Sequence, residues 1–374
     1  MRIICGKSAL AEAINVASKA VSSKASMPIL ECCLLTARED SGGFKLTAND
    51  MELAIETKAI EADILEEGAV ALDSRMFFDI IRRLPGDSVE IVSDEKNLTV
   101  IRSDKSEFKI LGFDGAEFPA IPDISEEKAK DYTMSAAEFK NMIRQTIFSV
   151  STDVSRPVLC GISLEIDENT IKMVSTDGHR ISLRKYDADG QLEPVKVIVP
   201  SKTLSEISKI LPTDADAMMS IHITNKHILF DLENTIVVSR LVDGDFINYE
   251  NMLNRESETK IAVERAELLE CIERASLISR DTRQSPIKLK IEDGQVIITC
   301  NAEMGTSYEE VVIEQDGSGL EIGFNARFIA DVLKVLDYER IEIEFSTPLS
   351  PCVMRVEGSG EYTYLIVPRR LRGG

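Results

Sequence analysis

The sequence predicts an α+β protein of three similar domains, each with two helices and mostly antiparallel strands. One strand–helix segment occurs three times along the chain, at intervals of about 125 residues. Around each copy the same elements recur: a helix, a strand pair, the strand–helix segment and further strands. A period of this length is typical of a domain and too long for a solenoid repeat. We therefore place the domains at residues 1–125, 126–253 and 254–374, with linkers near Pro119–Lys130 and Asn251–Lys260.

The repeated strand–helix segment is clearest at Val70–Pro85. It opens with apolar residues typical of a strand, and Asp73 is a suitable N-cap for the helix that follows. The next apolar residues follow helical spacing, and a Pro-Gly pair ends the helix. The same segment returns at Val197–Pro212 and Glu321–Leu336.

Each copy of the segment carries two basic residues at equivalent positions of its helix. They are seven residues apart, which is two turns and about 10.5 Å along one face. The six residues of these basic columns are Arg75, Arg82, Lys202, Lys209, Arg327 and Lys334. One such pair would be an ordinary solvated face, but three copies in a chain of net charge −21 indicate a local basic surface.

The remaining elements are predicted from periodicity and turn residues. The first helices are placed at Ser8–Val21, Ser135–Val150 and Arg265–Ser279. In the central copy, Thr170–Thr176 and His179–Tyr186 alternate around Asp177-Gly178, a dipeptide typical of a type I′ hairpin turn. The other hairpins are placed at Phe44–Ala48 with Met51–Thr57 and at Gln295–Cys300 with Ser307–Ile313. The strands after the second helices are placed at Val89–Val92, Leu98–Arg102, Glu107–Leu111, Ser220–Thr224, His227–Leu232, Thr235–Leu241, Ile341–Ser346, Val353–Glu357 and Tyr362–Val367.

Motifs for catalysis or for cofactors are missing from the sequence. It has no Walker motif, no GxGxxG after a strand and no HExxH, and its seven cysteines lack CxxC spacing. His179 lies near Asp177, but an aspartate at a turn serves backbone geometry, so we expect neither an enzyme nor a metal or cofactor. Scattered cysteines fit free thiols in a reducing cytoplasm, and no apolar run is long enough for a signal peptide or a membrane span.

Several runs of the sequence resemble one known family. Ser175–Ser182, with the sequence STDGHRIS, resembles the TDGHRL signature of the bacterial beta sliding clamp family, DNA polymerase III subunit beta. Similar runs are Lys24–Leu30, Phe77–Ile80, Arg240–Phe246, Ile322–Asn325 and Tyr364–Leu371. The resemblance covers the whole chain in order.

This resemblance implies a DNA polymerase processivity factor without a catalytic site of its own. Two chains would form a head-to-tail homodimer, a six-domain ring that encircles duplex DNA and slides on phosphates without reading sequence. Replicative and other DNA polymerases, the clamp loader and repair proteins would bind through short peptide motifs, in a pocket between the second and third domains. The ring would act in the cytoplasm.

The resemblance also implies roles for individual residues. The peptide-binding pocket falls on Arg156, Leu159, Thr176, Gly178, His179, Arg180, Ile181, Ile247, Met252, Val367 and Pro368. In this set the apolar residues form walls, and His179 and Arg180 form a polar rim. Lys24 joins the basic columns in contacting DNA. The dimer interface places Phe108 and Ile110 of one chain against Leu277 and Ile278 of the other.

The chain departs from the family pattern at four places. Ile247 stands where the family often has proline, Asn251 where it often has a basic residue, and Val367 where many members have methionine. Most members end near the position of Leu371, whereas this chain continues for three residues. These departures concern the peptide preference of the pocket rather than its existence.

Two other functions remain open from the residues alone. One is a three-domain DNA-repair or modification enzyme that uses the basic columns as a platform. The missing catalytic motifs argue against such an enzyme. The other is a scaffold that binds only proteins, against which the basic columns count. A clamp stays on circular DNA and runs off linear DNA, an enzyme turns over, and a scaffold does neither.

Overall fold

The computed structural model describes residues 1–22, 27–40, 42–122, 128–188, 190–253, 256–278 and 286–371. The chain divides into two compact units. Unit 1 comprises Met1–Glu138 and Lys202–Leu241, and unit 2 comprises Phe139–Ser201 and Val242–Gly374.

The helices and strands of the described residues follow in chain order. Residues 1–122 contain β1 (Arg2–Gly6), α1 (Lys7–Ala17), β2 (Cys32–Arg38), β3 (Gly43–Asn49), β4 (Leu53–Thr57), β5 (Ala62–Glu66), β6 (Gly68–Asp73), α2 (Ser74–Arg83), β7 (Ser88–Ser93), β8 (Leu98–Ser103), β9 (Ser106–Leu111) and β10 (Phe113–Asp114). Residues 128–253 contain β11 (Lys130–Ser135), α3 (Ala136–Thr146), β12 (Gly161–Ile166), β13 (Thr170–Thr176), β14 (Arg180–Asp187), β15 (Val195–Pro200), α4 (Ser201–Ile210), β16 (Met218–Ile223), β17 (His227–Leu232), β18 (Thr235–Arg240) and α5 (Glu250–Leu253). Residues 256–371 contain β19 (Thr259–Glu264), α6 (Arg265–Ser276), β20 (Ile287–Glu292), β21 (Gln295–Ala302), β22 (Gly305–Gly317), β23 (Leu320–Phe324), α7 (Ala326–Val335), β24 (Arg340–Phe345), β25 (Cys352–Val356) and β26 (Ser359–Ile366).

In the described part of unit 1 the strands form two antiparallel sheets. One has the order β5-β1-β7-β8-β9, and the other has the order β10-β6-β2-β3-β4-β18-β17-β16-β11. Strands β4 and β18 pair with Leu53 opposite Ser239 and Thr57 opposite Thr235. Strand pairing therefore continues from the first predicted domain into the central one.

Unit 2 has the same kind of continuity. Its described strands follow the order β15-β12-β13-β14-β26-β25-β24-β19-β22-β21-β20-β23. Strand β14, which begins within the signature run, pairs with β26, and Arg180 lies opposite Ile366. The strand that begins in the signature run is therefore the direct neighbour of β26, the last strand of the described residues.

The second helix of the first repeat, α2, begins as the sequence predicts. The Asp73 carboxylate accepts a hydrogen bond from the backbone N–H of Met76 at 2.7 Å, which caps α2. Phe77 and Ile81 are fully buried on one face of α2, and Arg82 is exposed on another. Burial of one apolar stripe thus leaves the basic residues of the helix in solvent.

The first helix of each repeat is shorter than predicted. Helices α1 and α3 end at Ala17 and Thr146, and each continues into a short 3₁₀ turn. The Thr146 hydroxyl donates to the carbonyl oxygen of Met142 at 2.7 Å, and such local bonds compete with continuation of the helix. Helix α6 ends at Ser276, and the predicted end at Ser279 lies outside the described residues.

The predicted type I′ turn at Asp177-Gly178 is wrong. That turn requires a positive φ at both residues, but Gly178 has φ +89° and Asp177 is not in the left-handed region. Thr176 pairs with Ile181, so four residues lie between this last pair of the two strands, where a type I′ hairpin would have two. The Asp177 carboxylate instead accepts from the backbone N–H groups of His179 at 2.9 Å and Arg180 at 3.2 Å. Its side chain replaces backbone bonds that a tighter turn would have made.

Candidate peptide pocket and nucleic-acid interface

A cluster of apolar side chains lies where the central and last predicted domains meet, entirely within unit 2. Its buried members are Val174, Ile181, Leu183, Ile198, Phe246, Tyr249, Leu253, Val353 and Leu365. Five partly buried residues pack against them: Val158, Val242, Ile247, Met252 and Val367. We call these fourteen residues the apolar cluster. Its partly buried members are apolar groups that solvent still reaches, as the wall of a ligand site requires.

The structure brings four of the predicted wall residues into this cluster. Ile181 is buried in it, and Ile247, Met252 and Val367 lie at its partly buried edge. Leu159 is half-buried but is not a member, whereas its neighbour Val158 is. These four residues come from three separate stretches of sequence, so tertiary folding brings them together.

The turn between β13 and β14 carries the polar groups predicted for the pocket. Thr176 is buried, and its hydroxyl donates to the Arg180 carbonyl at 2.7 Å and accepts from the Gly178 N–H at 3.0 Å. Thr176 therefore shapes the turn. His179 is exposed, and its carbonyl accepts from the N–H of Val367 at 2.9 Å, which ties the C-terminal segment to the turn.

Arg156 and Pro368 lie at the periphery of this turn. The guanidinium of Arg156 is half exposed and is 3.0 Å from a carboxylate oxygen of Asp153. A Cβ built on Gly178 would lie 3.6 Å from Nη1 of Arg156, so the guanidinium is next to the turn. Pro368 is half-buried directly after Val367. Arg156 can thus present a cation beside the apolar cluster.

The prediction that Arg180 belongs to the polar rim is wrong, because this side chain is buried with a relative exposure of 6%. Its Nε donates to Asp177 at 3.0 Å, its Nη1 to Asp331 at 2.8 Å and its Nη2 to the Phe148 carbonyl at 2.5 Å. The guanidinium also lies 4.5 Å from the ring centroid of Phe328. Through these contacts Arg180 fixes the turn between β13 and β14 against α7.

A buried polar group that the sequence did not predict supports the other side of the cluster. The Tyr249 hydroxyl donates to Oε2 of Glu165 at 2.8 Å. Lys196 Nζ lies 2.9 Å from Oε1 of the same carboxylate, which also accepts from Ser163 at 2.9 Å. Burial, together with the hydrogen bond to Glu165, raises the pKa of Tyr249, so it remains a donor at neutral pH. This bond anchors the stretch that contains Ile247 and Met252.

The six residues of the basic columns lie on helices α2, α4 and α7, two on each helix, and all six are exposed. In unit 1, Lys202 forms an ion pair with Asp50, and Lys209 Nζ lies 2.7 Å from Glu206. In unit 2, Lys334 Nζ lies 2.7 Å from Glu273. Lys24, the seventh predicted DNA contact, lies outside the described residues.

The predicted dimer residues lie at two exposed places. Phe108 and Ile110 belong to β9, an edge strand of the five-stranded sheet, and Phe108 is 41% exposed. Leu277 directly follows α6 and is 80% exposed, so it does not belong to the core of its own unit. Ile278 is partly buried and packs against that core. Leu111, Tyr308 and Val312 are also exposed apolar residues of β9 and β22, and no motif of the sequence predicts their exposure.

Comparison with known proteins identifies the family. The model of the N-terminal domain of the DNA polymerase III beta subunit matches residues 1–122. The central-domain model matches residues 133–248, and the C-terminal-domain model matches residues 250–370. The chain belongs to the DNA polymerase III beta subunit family.

Relatives and solved structures of this family cover nearly the whole chain. A beta sliding clamp from Bacillus subtilis strain 168 is 34% identical over 381 residues, which cover 99% of this chain and 100% of the relative. A crystal structure of a putative DNA polymerase III beta subunit from Eubacterium rectale is 41% identical, with a TM-score of 0.94 and 99% coverage of both chains. The DNA polymerase sliding clamp of Bacillus subtilis has a TM-score of 0.94 at 33% identity, with 100% coverage of both chains.

Family membership confirms the predicted fold class and general function. The DNA polymerase III beta subunit is a sliding clamp, a non-catalytic processivity factor, and each of its three domains matches one part of this chain. Sliding clamps of this family form dimeric rings and act with DNA and DNA polymerase. No comparison favours the repair or modification enzyme that the residues alone left open.

Other observations on this clamp-family chain concern cysteines, metals and membranes. All seven cysteines are free thiols, and burial raises the pKa of Cys5 and of Cys352 to about 12. Among the described residues, no three His, Cys, Asp or Glu side chains are grouped so that they could hold a metal ion. Within the same residues, every helix is too short or too polar to cross a membrane.

Proposed function

We propose that two copies of this protein assemble head to tail into a six-domain ring that encircles duplex DNA in the cytoplasm. The domains of each chain are those predicted at residues 1–125, 126–253 and 254–374. Three domains per chain make half of a six-domain ring, and a head-to-tail ring of two has a two-fold axis along its hole. The observation that carries this proposal is the threefold repetition of exposed basic residues on an acidic chain.

The basic columns contact DNA in this proposal. Arg75, Arg82, Lys202, Lys209, Arg327 and Lys334 face the duplex together with Lys24. Lysine and arginine at helical spacing can bind phosphates without reading base edges, which is what a sliding protein needs. The acidic remainder of the chain disfavours DNA elsewhere on the surface.

The dimer contact uses the exposed edge of β9. Phe108 and Ile110 of one chain meet Leu277 and Ile278 of the other. A strand edge with exposed apolar side chains needs cover to avoid aggregation, and a second chain supplies it. The exposure of Leu277 supports this assignment, because a residue of the domain core would be buried.

The half-buried side of the apolar cluster receives peptides from partner proteins in this proposal. Replicative and other polymerases, the clamp loader and repair proteins present short motifs to it and compete for one site per chain. Leu159, Ile247, Met252 and Val367 supply apolar contacts, and Ile181 supports this wall from the buried side of the cluster. His179 and Arg156 supply polar contacts. The turn between β13 and β14 and the C-terminal segment are kept in position by Thr176, Gly178, Arg180 and Pro368. Methionine suits a surface that must accept several partners.

A retention assay tests the function. The protein is loaded on nicked circular DNA with a clamp loader, and half of the sample is linearised before gel filtration. We expect the protein to stay with circles and to be lost from linear DNA, and light scattering should give the mass of a dimer. Equal retention on both DNA forms, or turnover of the DNA, would refute the ring.

A further inference from the structure

The second helix of every repeat carries a carboxylate between its two basic residues. Asp79, Glu206 and Asp331 each follow the first basic residue by four positions and precede the second by three. Residues at this spacing share one helix face, so each face has the charge order plus, minus, plus. This acidic column recurs as regularly as the basic columns do.

In unit 1 the carboxylates of this column contact the second basic residue of their own helix. Asp79 Oδ1 lies 3.5 Å from Arg82 Nη2, and Glu206 Oε1 lies 2.7 Å from Lys209 Nζ. In unit 2, Asp331 differs because it is 2.8 Å from the buried Arg180 and 3.7 Å from Arg327. Only the first two copies therefore have a carboxylate whose pairing is confined to the basic column.

A paired carboxylate weakens the contact that its cation makes with a phosphate. To bind a phosphate, the cation either gives up its ion pair with the carboxylate or brings the carboxylate close to the phosphate, which has the same sign of charge. Both events make the free energy of DNA binding less favourable. Loss of an exposed ion pair changes an affinity by about fivefold at most, so the competition is modest at each site. We propose that Asp79 and Glu206 act as built-in competitors of DNA phosphate that keep the ring loosely held and mobile on the duplex.

This inference rests on the proposed function, since it assumes that these helix faces meet DNA. A ring linked topologically to DNA needs no strong ionic contact to stay bound. Strong contacts would instead slow its movement from one phosphate to the next. Weak contacts at many phosphates satisfy both requirements.

Carboxylate-to-amide variants test the inference in the full-length dimer. Asp79→Asn and Glu206→Gln should each bind a short linear duplex two- to fivefold more tightly at low salt, as expected for loss of an exposed ion pair. The slope of log affinity against log salt should steepen by up to about one for each additional phosphate that the variant neutralises. Diffusion along stretched DNA, followed with a labelled ring, should slow.

The matched control is Glu95→Gln, which removes the same charge from the exposed turn between β7 and β8. It should leave the salt slope and the diffusion coefficient unchanged. Melting temperature and light scattering confirm that every variant is folded and dimeric.

A double-mutant cycle separates local pairing from overall charge. Lys209→Gln should reduce duplex affinity in both backgrounds, and the reduction should be two- to fivefold larger in the Glu206→Gln background than in the parent protein. Equal losses in both backgrounds, or Asp79→Asn and Glu206→Gln behaving like Glu95→Gln, would overturn the inference and leave the ring intact. Failure of the parent protein to stay on circular DNA would overturn the ring and the inference together.

Discussion

Arg180 Nη1 and Asp331 Oδ2 lie 2.8 Å apart and join strand β14 to helix α7 within unit 2. The arginine belongs to the signature run, and the aspartate belongs to the acidic column of the repeated helix. The same carboxylate is 3.7 Å from Nε of Arg327, a residue of the basic columns. One side chain therefore contacts both the turn of the proposed peptide pocket and a proposed DNA contact.

Loss of this ion pair should destabilise unit 2. We expect Asp331→Ala to lower the free energy of unfolding by about 3 kcal/mol, because a buried arginine would lose one partner. Asp331→Asn should cost less, since its amide oxygen still accepts from Arg180. Urea denaturation followed by circular dichroism measures both.

Asp79→Ala is the matched control for this experiment, because Asp79 has the equivalent position on α2 and an exposed partner. It should cost less than about 1 kcal/mol. A similar loss for Asp79→Ala and Asp331→Ala would show that the buried pair has no special role.

The repeated helix could be predicted because its signals are local. The Asp73 cap, the apolar spacing and the final Pro-Gly pair all lie within sixteen residues, and the structure confirms the cap at 2.7 Å. The burial of Arg180 could not be predicted in this way. Its partner Asp331 is 151 positions away, and which carboxylate meets which arginine is set by packing of β14 against α7.

The candidate site shows the same division between local and distant signals. Family resemblance placed Ile247, Met252 and Val367 in one pocket, and the structure brings them together. The bond from Tyr249 to Glu165 could not be predicted because the two residues are 84 positions apart and belong to no motif. At Asp177-Gly178 a local rule failed, since the aspartate side chain took over bonds of the turn.

Exposed apolar residues should control assembly. We expect Leu277→Asp to give a folded monomer, because Leu277 is 80% exposed and an added charge would oppose burial against a second chain. Leu277→Asp is cleaner than a double change with Ile278→Asp, since Ile278 packs partly against its own core. Light scattering measures the mass, and thermal unfolding monitors the fold.

Leu349→Asp is the control for assembly, because Leu349 is 69% exposed in a turn away from the predicted interface residues in sequence. It should remain dimeric. A dimeric Leu277→Asp variant would place the interface elsewhere, and a Leu277→Asp variant that fails to fold would assign Leu277 to the core.

Charge reversal in the basic columns should weaken retention on DNA. We expect Arg82→Glu combined with Lys209→Glu to lower the salt slope by about one for each phosphate that is no longer neutralised. The control reverses two exposed turn lysines, Lys96→Glu with Lys226→Glu, and changes net charge equally. Duplex affinity is titrated at several salt concentrations. The same slope in both double variants would exclude the columns as the DNA-contacting surface.

Truncation of the C-terminal segment should abolish most peptide binding. A chain that ends at Ile366 lacks Val367 and Pro368, so it loses an apolar contact of the cluster and the bond from Val367 N–H to the His179 carbonyl. We expect at least about tenfold weaker binding of a fluorescent clamp-binding peptide, which corresponds to about 1.4 kcal/mol.

Arg156→Ala should weaken peptide binding by a smaller factor, because solvent screens the interactions of this half-exposed cation. The matched control ends at Leu371 and keeps both residues, so it should bind as the full chain does. Truncated and Arg156→Ala proteins that fold, dimerise and bind like the full chain would show that peptides dock elsewhere.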